Sequence, residues 1–205
     1  MEHILDLYAE PYDPERPVIC FDEMPYQLLA DGREPLLAAP GKARREDYEY
    51  ERKGTCNVLL AFEPLTGQRH VTVTETRKNP DFAQAMQELA EAHYPDAKEL
   101  RVVIDNLSTH TPAAFYQTFE PEVARELTRK ISFHYTPKHG SWLNMAECEF
   151  SVLSRQCLNQ RLPSQERVQA VVQAWVSTRT EKQIMVNWQF TTEKARTKFK
   201  RLYPQ

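Results

Sequence analysis

Short apolar runs, each closed by a polar or turn-forming residue, alternate along this chain with stretches whose apolar positions recur every three or four residues. Val18-Ile19-Cys20-Phe21 is a run of strand type that ends at Asp22-Glu23, and a polar, Pro-bearing connection follows from Pro25 to Lys53. Thr55 to Phe62 reads as a second strand, Glu63 to Gln68 as a turn, and His70-Val71-Thr72-Val73-Thr74 alternates as a third strand should. Asn79-Pro80-Asp81 opens a helix whose apolar stripe is Phe82, Ala85, Met86, Leu89 and Ala90, and Pro95 ends it. Leu100 to Ile104 is a buried-type strand, and a strand–helix–strand crossover predicts a parallel neighbour for it. Helical segments over 112–119 and 121–130 lead to a fifth strand, Ile131 to Tyr135. Two further helices, about 143–158 and 164–178, precede a basic tail that starts at Arg179. The pattern predicts an α/β domain built on one five-stranded mixed sheet flanked by helices.

Composition narrows this only a little. With 205 residues, 41% hydrophobic and 27% charged, the chain is long enough for one globular domain, expected to span 1–205. No stretch approaches the ~20 apolar residues of a membrane span, and Met1 to Asp6 lacks a secretory pattern, so a cytoplasmic protein is expected. Cys20, Cys56, Cys148 and Cys157 contain no CxxC pair and read as free thiols rather than zinc ligands. The net charge of −3 does not announce a nucleic-acid binder. Residues 194–201 are nevertheless strongly basic and free of acids, and Lys42-Ala43-Arg44-Arg45 is a second basic stretch diluted at once by Glu46 and Asp47. Either could contact phosphate or simply be a solvated face.

The chemistry is carried by acids. Asp22 is expected directly after the first strand and Asp105 directly after the fourth. If those strands are parallel neighbours, both carboxylates leave the sheet at one edge. Clustered carboxylates repel one another, and a hard divalent cation such as Mg²⁺ relieves the repulsion. A third acid must come from the helix after the fifth strand, where Glu147 and Glu149 lie on opposite sides of the Leu143, Ala146, Phe150, Leu153 and Cys157 stripe. Periodicity does not choose between them, and Asn144-Met145-Ala146-Glu147 also reads as a capping box.

Asp105-Asn106 with His110 nearby resembles the second-Asp motif of insertion-sequence transposases in the mariner-like DDE superfamily. Ser141-Trp142-Leu143-Asn144-Met145-Ala146-Glu147 is similar to that family's third motif, matching at Ser141, Leu143, Asn144 and Glu147. Val18 to Glu23 resembles the first-Asp strand, and the likeness extends to the closing Phe190 to Arg196. Trp142 stands where the commoner pattern has Pro-Asp, Met145 where it has Pro, and 41 residues separate Asp105 from Glu147, features that look like a bacterial branch. The resemblance implies an RNase H-like fold and an Asp22–Asp105–Glu147 triad holding two Mg²⁺ ions, with Mn²⁺ as a substitute. It also implies cleavage at transposon ends followed by strand transfer, by a homodimer on terminal-repeat and target DNA. Members carry helix-turn-helix modules before the first Asp, and 21 residues are too few for one. That predicts a partner half encoded upstream or in a shifted frame, or else a truncated remnant.

Around the triad, Lys138, His139 and Trp142 lie on the loop into the third acid's helix and suit phosphate contact and base stacking, together with Lys198, Lys200 and Arg201. Trp142 fits equally well as a buried anchor. Asn106 can orient Asp105 or contact DNA, and it fits equally well as the former of an Asx turn. His110 can shape the site, although a solvent-facing neighbour of a helix start needs no role. Trp175, with Val168, Val171 and Val172, reads as core, and His3, His70 and His93 receive no functional reading. Two other classes compete with a DNA-cutting enzyme: a non-catalytic, transposase-derived DNA-binding protein, and a hydrolase of small phosphate esters.

Overall fold

The computed structural model describes residues 1–33, 38–43, 45 and 47–202; Arg44 and Glu46 of the second basic stretch, and Tyr203 of the tail, lie outside them. Five strands form one sheet in the order β3-β2-β1-β4-β5, with β1 Val18–Asp31, β2 Tyr50–Glu63, β3 Gln68–Thr74, β4 Leu100–Ile104 and β5 Ile131–Tyr135. The first three run antiparallel as a meander, whereas β1–β4 and β4–β5 are parallel. This is the mixed α/β sheet that the apolar pattern predicts, and it is of RNase H-like type, as the family resemblance implies.

One expectation fails. Asp22 does not end a strand, because β1 continues nine residues beyond it, and the supposed connection from Pro25 to Lys53 is strand at both its ends, to Asp31 and from Tyr50. The reason is the partner: β2 stays in register alongside, pairing Asp22 with Leu60 and, farther out, Asp31 with Tyr50. What stops near Asp22 is the other neighbour, since β1 pairs with β4 only from Val18 to Cys20. The sheet therefore opens a notch between β1 and β4, and Asp22 sits at its mouth.

Helices cover both faces. On one side α1 Glu2–Ala9, α5 Met145–Leu153 and α6 Gln165–Glu181 bury Leu5, Phe150, Val168 and Val172 against Cys20, Leu60 and Phe62 of the sheet. On the other, α2 Asn79–Glu88, α3 Ala113–Thr118 and α4 Pro121–Lys130 pack Phe82, Met86, Phe115 and Leu127 against Phe21, Leu59 and Ile104. Burying a side chain of this size stabilises the fold by about 1.5–3 kcal/mol, so each layer outweighs any single polar contact. Trp175 is core, as its stripe predicts. The tail is not featureless: Thr191 caps a short helix, α7 Thr192–Lys198, and Thr192 donates to Asp6 on α1 at 2.6 Å. No described helix is long and apolar enough to cross a membrane.

Candidate active site

Alternation along β1 sends Cys20 and Asp22 to the α5 face of the sheet, and Phe21 and Glu23 to the α2 face. Asp22 is partly buried, and its Oδ1 accepts the Glu23 backbone N–H at 2.8 Å. Burial, followed by the negative charges of Glu147, Asp105 and Glu23, pushes its carboxyl up to about 7. The electrostatic field at Asp22 therefore contains the other two acids of the predicted triad.

Asp105 follows β4 and folds back on its own chain, its Oδ1 accepting the Leu107 N–H at 3.0 Å in an Asx turn. The same oxygen receives His110 Nδ1 at 2.6 Å. That hydrogen bond, joined by the Leu107 N–H, holds the Asp105 carboxyl below the usual range in spite of partial burial. Asn106 serves the loop instead: its Nδ2 donates to the Thr136 carbonyl, tying the segment after β4 to the segment after β5.

His110 departs from expectation most. It is 1% exposed rather than solvent-facing, because its ring is packed beside Phe21 and Phe82 in the α2-side core. Its Nε2 lies 2.8 Å from Glu23 Oε2, on a side chain that is itself only 6% exposed. Burial alone lowers an imidazole, but hydrogen bonds to Asp105 and Glu23, reinforced by their charges, raise this one to about 9. Glu23 is the site residue the sequence reading misses. Its signal is weak, a second acid beside Asp22 whose partner lies 87 residues away.

The helix bearing the third acid is fixed at its start. Asn144 caps α5 by accepting the Ala146 N–H, and its Nδ2 donates to the Phe21 carbonyl at 2.8 Å, one residue before Asp22. The predicted capping box is only half present, since the Asn144 N–H is taken by the Ser141 carbonyl at 2.7 Å rather than by Glu147. Glu147 is thus exposed on the first helical turn, and its carboxylate has no hydrogen-bond or ion-pair partner among the described residues. Glu149 is buried, and its two oxygens are held by Arg69 at 2.7 Å and Arg179 at 3.0 Å. Of the two glutamates, only Glu147 has a carboxylate to spare.

The approach loop turns from Pro137 to Gly140, where the Gly140 N–H donates to the Pro137 carbonyl at 2.8 Å. A Cβ at Gly140 would stand 2.6 Å from the Pro137 ring, so no larger residue fits there. Lys138 and His139 are exposed on this turn. Trp142 takes neither predicted extreme: it is 41% exposed, with its ring against Phe190 and Phe199 of the tail. Lys198 Nζ lies over the Phe190 ring, and Lys200 and Arg201 follow on an exposed 3₁₀ turn, whereas Arg196 is engaged with Glu2. The structure thus joins the approach loop and the basic tail into one aromatic and cationic surface beside α5.

The donor set of Asp22, Asp105 and Glu147 consists of hard carboxylate oxygens, and a cation would relieve the repulsion that raises Asp22. That chemistry fits a divalent ion. Among the described residues, however, no group of three His, Cys, Asp or Glu side chains is arranged to hold one.

No curated protein is similar to the chain in sequence. Among solved structures, the chain is similar to the Mos1 transposase paired-end complex with left transposon end, with a TM-score of 0.58 and 16% identity over 86% of this chain and 52% of that one. The Mos1 mariner paired end complex with Mn gives a TM-score of 0.53 and 16% identity, covering 88% of this chain and 54% of that one. This likeness is one of fold, and the chain spans about half the length of those proteins. The sequence itself says more, because residues 17–169 match the family described as DDE superfamily endonuclease, from the start of β1 into α6. With most of its length so matched, the chain belongs to the DDE superfamily of endonucleases.

Proposed function

We propose that this chain is the catalytic domain of a transposase, cutting DNA at the ends of a mobile element and joining the freed 3′ end to target DNA. The reading of Asp22, Asp105 and Glu147 as its catalytic and metal-binding residues is carried by one observation. Three elements, β1, the end of β4 and the first turn of α5, bring negative charge to bear on the same partly buried carboxyl, that of Asp22. Bound Mg²⁺ or Mn²⁺, in a pair, would supply an activated water and charge neutralisation at the scissile phosphate.

The chain's own residues do the rest. Asp105 stays ionised because His110 and the Leu107 N–H occupy one of its oxygens, which leaves the other to face a ligand. Glu147 needs no bond broken before it can turn inward. Asp22, in contrast, holds its proton near neutrality until a cation displaces it. Trp142, backed by Phe190 and Phe199, offers a stacking platform for an unpaired base next to the acids. Lys138, His139, Lys198, Lys200 and Arg201 suit phosphates on either side of it. A homodimer on DNA, and a separately encoded helix-turn-helix half that reads the terminal repeats, complete the proposal.

A second reading has one observation in its favour. No three acids are arranged to hold an ion among the described residues, which suits a non-catalytic, transposase-derived DNA-binding protein. Nicking assays on DNA carrying the element's ends separate the two. The parent is expected to nick only with Mg²⁺ or Mn²⁺, and Asp105→Asn to lose nearly all of that activity. Equal nicking by the two proteins would remove Asp105 from the chemistry, and binding without nicking would favour the second reading.

A further inference from the structure

The notch between β1 and β4 is bridged by side chains where the backbone ladder gives out. The last paired residues are Cys20 and Val103. Beyond them Glu23 on β1 and Asp105 after β4 are joined through a single imidazole, with His110 Nε2 2.8 Å from Glu23 Oε2 and Nδ1 2.6 Å from Asp105 Oδ1. The ring cannot wander. It lies 4.9 Å from the Phe82 ring and 5.9 Å from that of Phe21, its backbone N–H donates to the Leu107 carbonyl, and its carbonyl accepts the Tyr135 hydroxyl at 2.7 Å.

The effect falls on Asp105. Its side chain is 38% exposed at the end of a strand, where a carboxylate is free to rotate. Two donors on Oδ1, from His110 and Leu107, fix the plane of the carboxylate and leave Oδ2 as the oxygen without a partner among the described residues. Because the far end of the bridge is Glu23, next to Asp22 in sequence, the same contact ties Asp105 to the residue beside Asp22. Glu23 itself points to the opposite face of the sheet from Asp22, so it braces the site from behind.

We propose that His110, anchored by Glu23, is the positioning residue of this site: it orients Asp105 and holds β1 and β4 at the spacing that a shared divalent ion requires. This rests on the reading of Asp105 as a metal ligand. Partners of this kind, one shell behind the ligands, typically change metal affinity by about 10- to 100-fold when removed.

The test is Mn²⁺ binding to the full chain, followed by the electron paramagnetic resonance signal of free Mn²⁺, so that no turnover is needed. His110→Leu fills the aromatic pocket but donates nothing, and is expected to weaken Mn²⁺ binding about 10- to 100-fold. His110→Asn keeps a donor near the position of Nδ1 and is expected to recover most of the loss. Parental affinity in His110→Leu overturns the proposal. So does an equal loss in the Leu and Asn variants, which would mean that His110 matters only for its shape. Should His110→Leu fail to fold, Glu23→Ala carries the test, since it removes only the far anchor; a loss of several-fold supports the bridge and parental affinity overturns it. Asp105→Asn tells the two levels apart. Unchanged Mn²⁺ binding there defeats the metal-site reading itself, whereas loss there beside an intact His110→Leu defeats only the positioning role.

Discussion

Arg69 donates to Glu149 at 2.7 Å with both side chains shielded from solvent, 80 residues apart in sequence, and Glu149 lies two positions from the exposed Glu147. The Arg69 guanidinium also donates to the carbonyls of Gly67 and Ile184 and lies over the Phe62 ring, so every part of it is engaged. Two glutamates one helical half-turn apart thus have opposite surroundings, and the difference is measurable.

Arg69→Ala leaves Glu149 buried with only Arg179 to meet it and is expected to destabilise the fold by about 3–5 kcal/mol, as removal of one partner of a buried pair does. Glu147→Gln, on an exposed first turn, is expected to stay within about 0.5 kcal/mol of the parent. Urea unfolding of the two variants checks this, and the reverse ordering would exchange the roles assigned to the glutamates.

Asp22 gives the domain a cost at high pH. Its carboxyl is at about 7 in the fold, because of burial and neighbouring negative charge, and near 3.8 otherwise. The folded state therefore holds the proton more tightly, and the stability this confers is complete below about pH 4 and lost as pH rises through 7. Asp22→Asn, neutral throughout, is expected to unfold at higher urea than the parent at pH 8, with the gap closing towards pH 4. Mg²⁺ is expected to raise the thermal midpoint of the parent at pH 8 by mass action and leave that of Asp22→Asn unmoved.

His70 acts in the opposite sense. Burial, and then the charge of His93 stacked on it at 3.7 Å, lower its imidazole to about 4. The unfolded chain takes up this proton near pH 6.5 and the folded one does not. The associated stability is present above pH 6.5 and drains away as the pH falls towards 4. His70→Phe is expected to flatten that acid limb in a pH series of thermal melts, and an unchanged limb would show that another group causes it.

On the DNA side, the basic tail and the indole are expected to act on different observables. Replacing Lys200 and Arg201 by Ala is expected to flatten the plot of log affinity against log salt by about two units, near 0.9 for each lost phosphate contact. Trp142→Ala is expected to cost about 1–3 kcal/mol in binding to single-stranded ends with the slope unchanged. Fluorescence anisotropy across a salt series reads both quantities.

The elements that announced themselves in sequence were those whose apolar period was unbroken. Leu100–Ile104 is apolar apart from Arg101, Ile131–Tyr135 alternates cleanly, and Asn79-Pro80 marks the start of α2. The outer half of β1 was hidden because Pro25 and the polar residues around it look like a loop; they are held in the strand by β2, which local sequence cannot reveal. Of the site, Asp105 and Glu147 stood out through their motifs, periodicity alone having left Glu147 and Glu149 level; that Glu149 is taken up by Arg69 and Arg179 was hidden because those partners come from distant elements. His110 looked exposed because its burial depends on Phe21 and Phe82, and Glu23 looked idle because its partner is far along the chain.

The pairing of β1 with β2 also decides where this chain can gain or lose a residue. Asp22 opposes Leu60 and Glu23 opposes Leu59, so a one-residue insertion between Val18 and Asp22 would turn each carboxylate to the other face of the sheet. Asp22 would then turn towards His110, and Glu23 towards α5. Past Gln27 the register already shifts before Leu29, and a length change there has a place to be absorbed. Relatives of this chain should therefore vary in the outer hairpin while keeping an unvarying count of residues from the start of β1 to its two adjacent acids.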